Sequence, residues 1–149
     1  MARDLSACVV AEARLWLGTP YRHQGSRLGV GADCLGLVRG VWRALNGSEP
    51  EPVPPYRRDW AEIRDDDPLI EAALRHFIPT DGPLAPGQLL LFRWSPRVAA
   101  KHAGIMSGAD RFIHAYSGVG VVESPLVPAW RRRIAARFEF PASGADHTS

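Results

Sequence analysis

The spacing of the apolar residues changes part-way along the chain, and that change limits the fold more than any other feature. In the first half they recur at helical intervals. Leu5, Cys8, Val9, Glu12, Ala13, Trp16 and Leu17 fall mostly at helical spacing, and Gly18-Thr19-Pro20 ends the run. A second stripe, Cys34, Leu37, Val38, Val41, Trp42 and Leu45, follows Asp33, a residue type that caps helix starts, and Asn46-Gly47 closes it. Asp67-Pro68 opens a third helix, to about Phe77. Beyond Gly87 the pattern is that of strands. Leu89–Phe92 is a continuous apolar run suited to burial on both faces, and His102–Met106 and Arg111–Tyr116 flank the turn sequence Ser107-Gly108-Ala109-Asp110. Gly118–Glu123 and an alternating segment ending in Phe138 and Phe140 complete the set. Helices first and an antiparallel sheet after them predict an α+β domain.

Length and charge narrow the function classes. A chain of 149 residues is one domain able to bury its own core. The domain is read over residues 1–140, with an unstructured tail at 141–149, and the proline-rich stretch 48–57 is a loop within it. No apolar run is long enough to cross a bilayer, so stable membrane insertion is not expected. The opening Met1-Ala2-Arg3-Asp4-Leu5 lacks the pattern of a secretory signal, and two cysteines make no disulfide framework; synthesis in a reducing cytoplasm follows. A net charge of +2 does not demand a polyanion, so no nucleic-acid partner is expected. Arg131-Arg132-Arg133 with Arg137 forms a local cluster, read as a solvated face or a docking patch.

Three residues carry chemistry. Cys34, just after an N-cap, lies in the first helical turn, where unpaired amides and the helix dipole favour a thiolate. Asp33 opposes this, so a neighbouring imidazolium is expected to help. If the hairpin turn centres near Ala109, His102 faces Tyr116 and Gly104 faces His114. Both histidines then share a face as diagonal neighbours roughly 7–8 Å apart. A slip by one residue would put them on opposite faces. In the productive register Cys34 attacks a carbonyl carbon, His102 moves the proton, His114 orients His102, and the Cys34 amide faces the oxyanion. Cys8 is read as core, and His23, His76 and His147 as structural or exposed. Gly36 and Gly40 lie off the stripe and are read as sites where another backbone comes near. No close-spaced ligand pair suggests a metal, and no cofactor is expected.

The order of these residues resembles that of papain-type cysteine hydrolases. Gly18-Thr19-Pro20-Tyr21, Asp33-Cys34-Leu35-Gly36-Leu37-Val38, His102-Ala103-Gly104-Ile105 and Arg111-Phe112-Ile113-His114-Ala115 together resemble the NlpC/P60 family, from about residue 5 to 140. The resemblance implies a papain-like fold and a peptidase acting on stem peptides of bacterial cell walls. It implies Cys34 as nucleophile, His102 as base and His114 as the third polar residue. Tyr21 is implied beside the oxyanion, and Asp33 facing the substrate as well as capping. Leu35 departs from the serine that many members carry, and Arg22-His23-Gln24 from their aromatic and glycine residues. Tyr21-Arg22-His23-Gln24-Gly25, Leu37–Trp42 and Pro125–Arg133 resemble the branch encoded by phages and gene transfer agents. That branch implies delivery to the wall in a phage-like tail, with tail-hub or baseplate proteins as partners of the arginine cluster. The alternative is a structural tail component whose active site is unused or serves only assembly.

Overall fold

The computed structural model describes residues 4–49 and 67–141. Most of the proline-rich stretch, the tail beyond Pro141 and His147 lie outside them. Helix α1 spans Leu5–Arg14, ribbon strands β1 and β2 span Ser26–Arg27 and Gly31–Ala32, and helix α2 spans Cys34–Asn46. Helix α3, Pro68–His76, is followed by β3 (Ile78–Pro79), β4 (Gln88–Phe92), β5 (His102–Met106), β6 (Arg111–Tyr116) and β7 (Gly120–Pro125). A short helix α4, Pro128–Arg131, leads into β8, Ile134–Glu139. The last six strands form one antiparallel sheet in the order β3-β8-β4-β5-β6-β7, so the α+β expectation holds.

The alternation along β4 explains how a fully buried strand is built. Leu89 and Leu91 face a core shared with α1 and α2, containing Val9, Ala13, Trp16, Leu37 and Val41. Leu90 and Phe92 face a smaller cluster on the other side, with Met106, Phe112 and Leu126, roofed in part by Trp130 of α4. Each such side chain removes apolar surface worth roughly 1.5–3 kcal/mol from water. Strand pairing sets Phe92 opposite His102 and Leu90 opposite Gly104, so His102 belongs to the second face.

Helix α2 is pinned at its start. Asp33 accepts from the Gly36 amide (2.8 Å) and from the Gln24 amide (2.7 Å), capping the helix while bracing a loop residue held at φ 63°. A cap of this kind contributes about 1 kcal/mol. Gly36 is required by close approach, since a β-carbon there would lie 1.7 Å from the Gly25 carbonyl oxygen. Gly40 differs from expectation: what crosses it is the Trp16 indole, 2.0 Å from an added β-carbon, and not a backbone. Cys8 also departs from its reading, being half-buried at the margin of α1 while Val9 and Ala13 take the core positions.

Candidate active site

Helix geometry brings the sulfur of Cys34 among amides. The Leu37 amide bonds the Asp33 carbonyl (2.9 Å) and the Gly36 amide bonds the Asp33 side chain, leaving the two amides before them without helical partners. Those amides, of Cys34 and Leu35, hydrogen-bond the Cys34 sulfur, as does the Ala103 amide of β5. Ala103 is free to do so because the β5–β6 ladder, paired at Met106↔Phe112 and Ile105↔Ile113, goes no further. The two strands part where α2 arrives, and the sulfur docks beside the residue that follows His102.

The register is the one that sets both histidines on one face. His102 Nε2 and His114 Nδ1 are 2.9 Å apart. His114 Nε2 lies 2.9 Å from Ser124 Oγ, extending the chain of polar groups to β7. Gly104 makes room for it: a β-carbon there would come within 2.8 Å of the Phe112 ring and 3.4 Å of the His114 β-carbon. Around the imidazoles stand aromatic rings. Trp94 stacks on His102 at 5.7 Å and 25°, Trp130 lies 5.6 Å from it, and Phe112 lies 4.3 Å from His114.

This enclosure decides the charge states. Burial pushes the Cys34 thiol up to about 12, with the Asp33 carboxylate acting in the same direction; the three amides oppose them but lose. Burial, with His114 alongside, pushes His102 down to about 3, and burial pushes His114 down to about 4. The pair at neutral pH is therefore thiol and neutral imidazole. Against the imidazolium expected from the sequence, burial among the aromatic rings favours the neutral form of both imidazoles.

A consequence for stability follows from the sign of these shifts. Free imidazoles titrate near 6.5, whereas the folded ones resist protonation down to about 3 and about 4. Between those limits the unfolded chain binds protons that the fold refuses. Stability is therefore fullest above 6.5 and declines as pH falls through this window. The urea midpoint is expected to drop from about pH 7.5 to about pH 5, and His114→Phe to flatten the slope by about one proton. A wild-type midpoint that holds constant over that range contradicts buried neutral rings.

The remaining sequence candidates sit nearby. Tyr21 bridges Ala32, immediately before Asp33 and Cys34, and is half-buried. Asp33 is 2% exposed, its two oxygens taken by the amides of residues 24 and 36. Ser124, Trp94 and Trp130 were missed by sequence reasoning. The arginine cluster is divided: Arg131 ends α4 and is exposed, Arg133 lies over Trp94 and Trp130, and Arg137 donates to the Gly82 carbonyl. Among the described residues no group of acidic, histidine and cysteine side chains is arranged to hold a metal. No helix among them is long and apolar enough to cross a membrane.

Comparison with known proteins agrees with this geometry. The profile of the NlpC/P60 family matches residues 18–137. The gamma-DL-glutamyl hydrolase of Bacillus subtilis is 32% identical over 108 residues, covering 72% of this chain and 22% of the relative. The murein DD-endopeptidase MepS/murein LD-carboxypeptidase of Escherichia coli K12 is 28% identical over 131 residues, 87% of this chain and 60% of the relative. The chain thus spans 22% and 60% of the length of these two curated relatives, less than two thirds of each. The NlpC/p60 domain of the peptidoglycan hydrolase SagA superposes with a TM-score of 0.55 at 24% identity, over 81% of this chain and 89% of that one. A family profile covering most of the chain, on a fold whose helix and hairpin bring Cys34 to the residue after His102, places this protein in the NlpC/P60 family.

Proposed function

We propose that this domain is a cysteine peptidase that cleaves stem-peptide bonds of peptidoglycan, with D-γ-glutamyl to diamino acid linkages as the class of bond. The observation that carries it is the docking of the Cys34 sulfur on the amide of Ala103, the residue after His102, whose ring is held by His114 and Ser124. The sulfur attacks the carbonyl carbon while His102 Nδ1, the nitrogen not engaged by His114, takes the thiol proton. A C–S bond forms, and the carbonyl oxygen becomes an oxyanion facing the Cys34 amide, with Tyr21 alongside. Collapse breaks the C–N bond, and His102 returns the proton to the leaving amine. Water then hydrolyses the thioester by the same proton path in reverse. Asp33 serves this chemistry from behind, by holding the helix start where these amides point.

The names of the relatives support the substrate class: one is a gamma-DL-glutamyl hydrolase and another a murein endopeptidase. Purified protein incubated with peptidoglycan is expected to release fragments whose new carboxyl terminus is a γ-linked D-glutamate, identified by mass spectrometry. Intact sacculi after prolonged incubation contradict the proposal. Delivery by a phage-like tail or gene transfer agent is the finer reading, supported by the sequence resemblance of Tyr21–Gly25, Leu37–Trp42 and Pro125–Arg133 to that branch. Arg131, exposed at the end of α4, is available for a tail-hub or baseplate contact. Co-sedimentation of the protein with tail particles is the expected result, and particles lacking it would remove this reading.

A further inference from the structure

A groove of about 530 Å³ opens beside Trp94, lined by Arg93, Ser95, Pro96, Arg132 and Arg133 among others. Its charge is one-sided. Arg93 is tied to Asp67 through one guanidinium nitrogen at 2.8 Å, but its Nε is buried with no hydrogen-bond partner. Among the described residues no carboxylate pairs with Arg132 or Arg133. The Arg133 guanidinium instead lies 5.2 Å over the Trp94 ring and 5.9 Å from Trp130, a placement that holds its orientation while leaving its edge N–H groups for a ligand. Two cations in one concavity, with no carboxylate partner among the described residues, fit an anion.

The groove shares a wall with the active site, because the Trp94 ring that lines it also stacks on His102. This fixes which part of a substrate reaches it. In the proposed reaction His102 hands its proton to the departing amine, so the leaving fragment lies on the His102 side, toward Trp94. That fragment of a wall stem ends in carboxylates, on the diamino acid and on the terminal alanine. We propose that the groove is the subsite for the carboxylate of the terminal alanine of the leaving stem fragment, with Arg132 and Arg133 as its counter-charges. The subsite makes the enzyme selective for stems with a free acid over stems with an amide at that end. This rests on the peptidase reading for the identity of the fragment, though the anion site itself stands on the groove.

The test separates the two. In a Cys34→Ala background, meso-diaminopimelyl-D-alanine and its C-terminal amide are titrated against the protein by calorimetry and tryptophan fluorescence. The acid is expected to bind about tenfold more tightly than the amide. Arg133→Gln and the exposed Arg132→Gln should each bring the two within about threefold. Because Arg133 packs on two indoles, the Arg132 variant guards against a folding artefact. Equal binding of acid and amide, no binding of the acid, or a preference that survives both substitutions overturns the subsite. Turnover of L-Ala-γ-D-Glu-meso-diaminopimelyl-D-Ala and its C-terminal amide by the wild-type chain is measured alongside. Cleavage of both at equal kcat/KM removes the subsite and leaves the peptidase intact. Preferential binding of the acid without cleavage of either removes the peptidase reading and leaves the anion site.

Discussion

Stem-peptide cleavage is expected to fall below detection in Cys34→Ala and by about 10²–10⁴ in His102→Ala. The size of the second effect comes from the charge states. With the thiol pushed up to about 12 and the His102 imidazole down to about 3, neither group supplies an ion of its own at neutral pH. The proton must leave sulfur as the C–S bond forms, and in the proposed mechanism His102 receives it. Desolvation makes the separated thiolate–imidazolium pair costly, so the transfer is concerted with attack. Wild-type kcat/KM is then expected to be level through neutral pH, with no acid limb near the ordinary imidazole value. The His102→Ala variant instead should gain activity as pH rises, because hydroxide takes over the deprotonation of the thiol. Activity within about tenfold of wild type in His102→Ala would mean that another group removes the proton.

Cleavage is further expected to drop by roughly 10² in His114→Ala, with His114→Asn recovering much of the loss and Ser124→Ala costing several-fold. The order follows from a single tautomer. For His102 Nδ1 to offer a lone pair to the thiol, Nε2 must carry the proton and donate it to His114 Nδ1 across 2.9 Å. His114 must then be protonated on Nε2, donating to Ser124 Oγ at 2.9 Å. The opposite arrangement, with the Ser124 hydroxyl donating inward, would put the proton on His102 Nδ1 and disable the base. An asparagine side chain at 114 can present its amide oxygen as an acceptor, which alanine cannot. The nitrogen shifts of His102 in NMR spectra report the tautomer directly, and a purely structural role for Ser124 would leave them unmoved. If Ser124→Ala keeps the Nε2–H tautomer at full occupancy, its part in fixing the base is refuted.

The parts of this site that were legible in the sequence are those set by local pattern. The stripe from Cys34 to Leu45, with Asp33 before it, defines a capped helix and places the cysteine in its first turn. Ser107–Asp110 defines a turn, and the spacing of His102 and His114 about it fixes a shared face, as the pairing of Ile105 with Ile113 bears out. What escaped was set by non-local contact. Ser124 fell outside the expected strand because Gly118 and Gly120 both take positive φ, so the turn lasts longer and β7 starts and ends two residues later. Trp94 and Trp130 come from a loop and a single-turn helix with no periodicity to reveal them, yet they make the second face of the sheet dry. That dryness pushes both imidazoles toward the neutral form, while the Cys34 thiol is raised separately by its own burial and by Asp33. Gly40 was read as a backbone contact for the same reason, since only the packed α1 shows the Trp16 ring crossing it.

The most direct measurement of the central claim is the mass of the intact protein after rapid mixing with a stem tetrapeptide and acid quench. A transient mass increase equal to the stem tetrapeptide minus the leaving amine is expected, located on Cys34 by peptide mapping and missing in Cys34→Ala. Product formation without any adduct, or products formed equally by Cys34→Ala, would contradict catalysis by this sulfur.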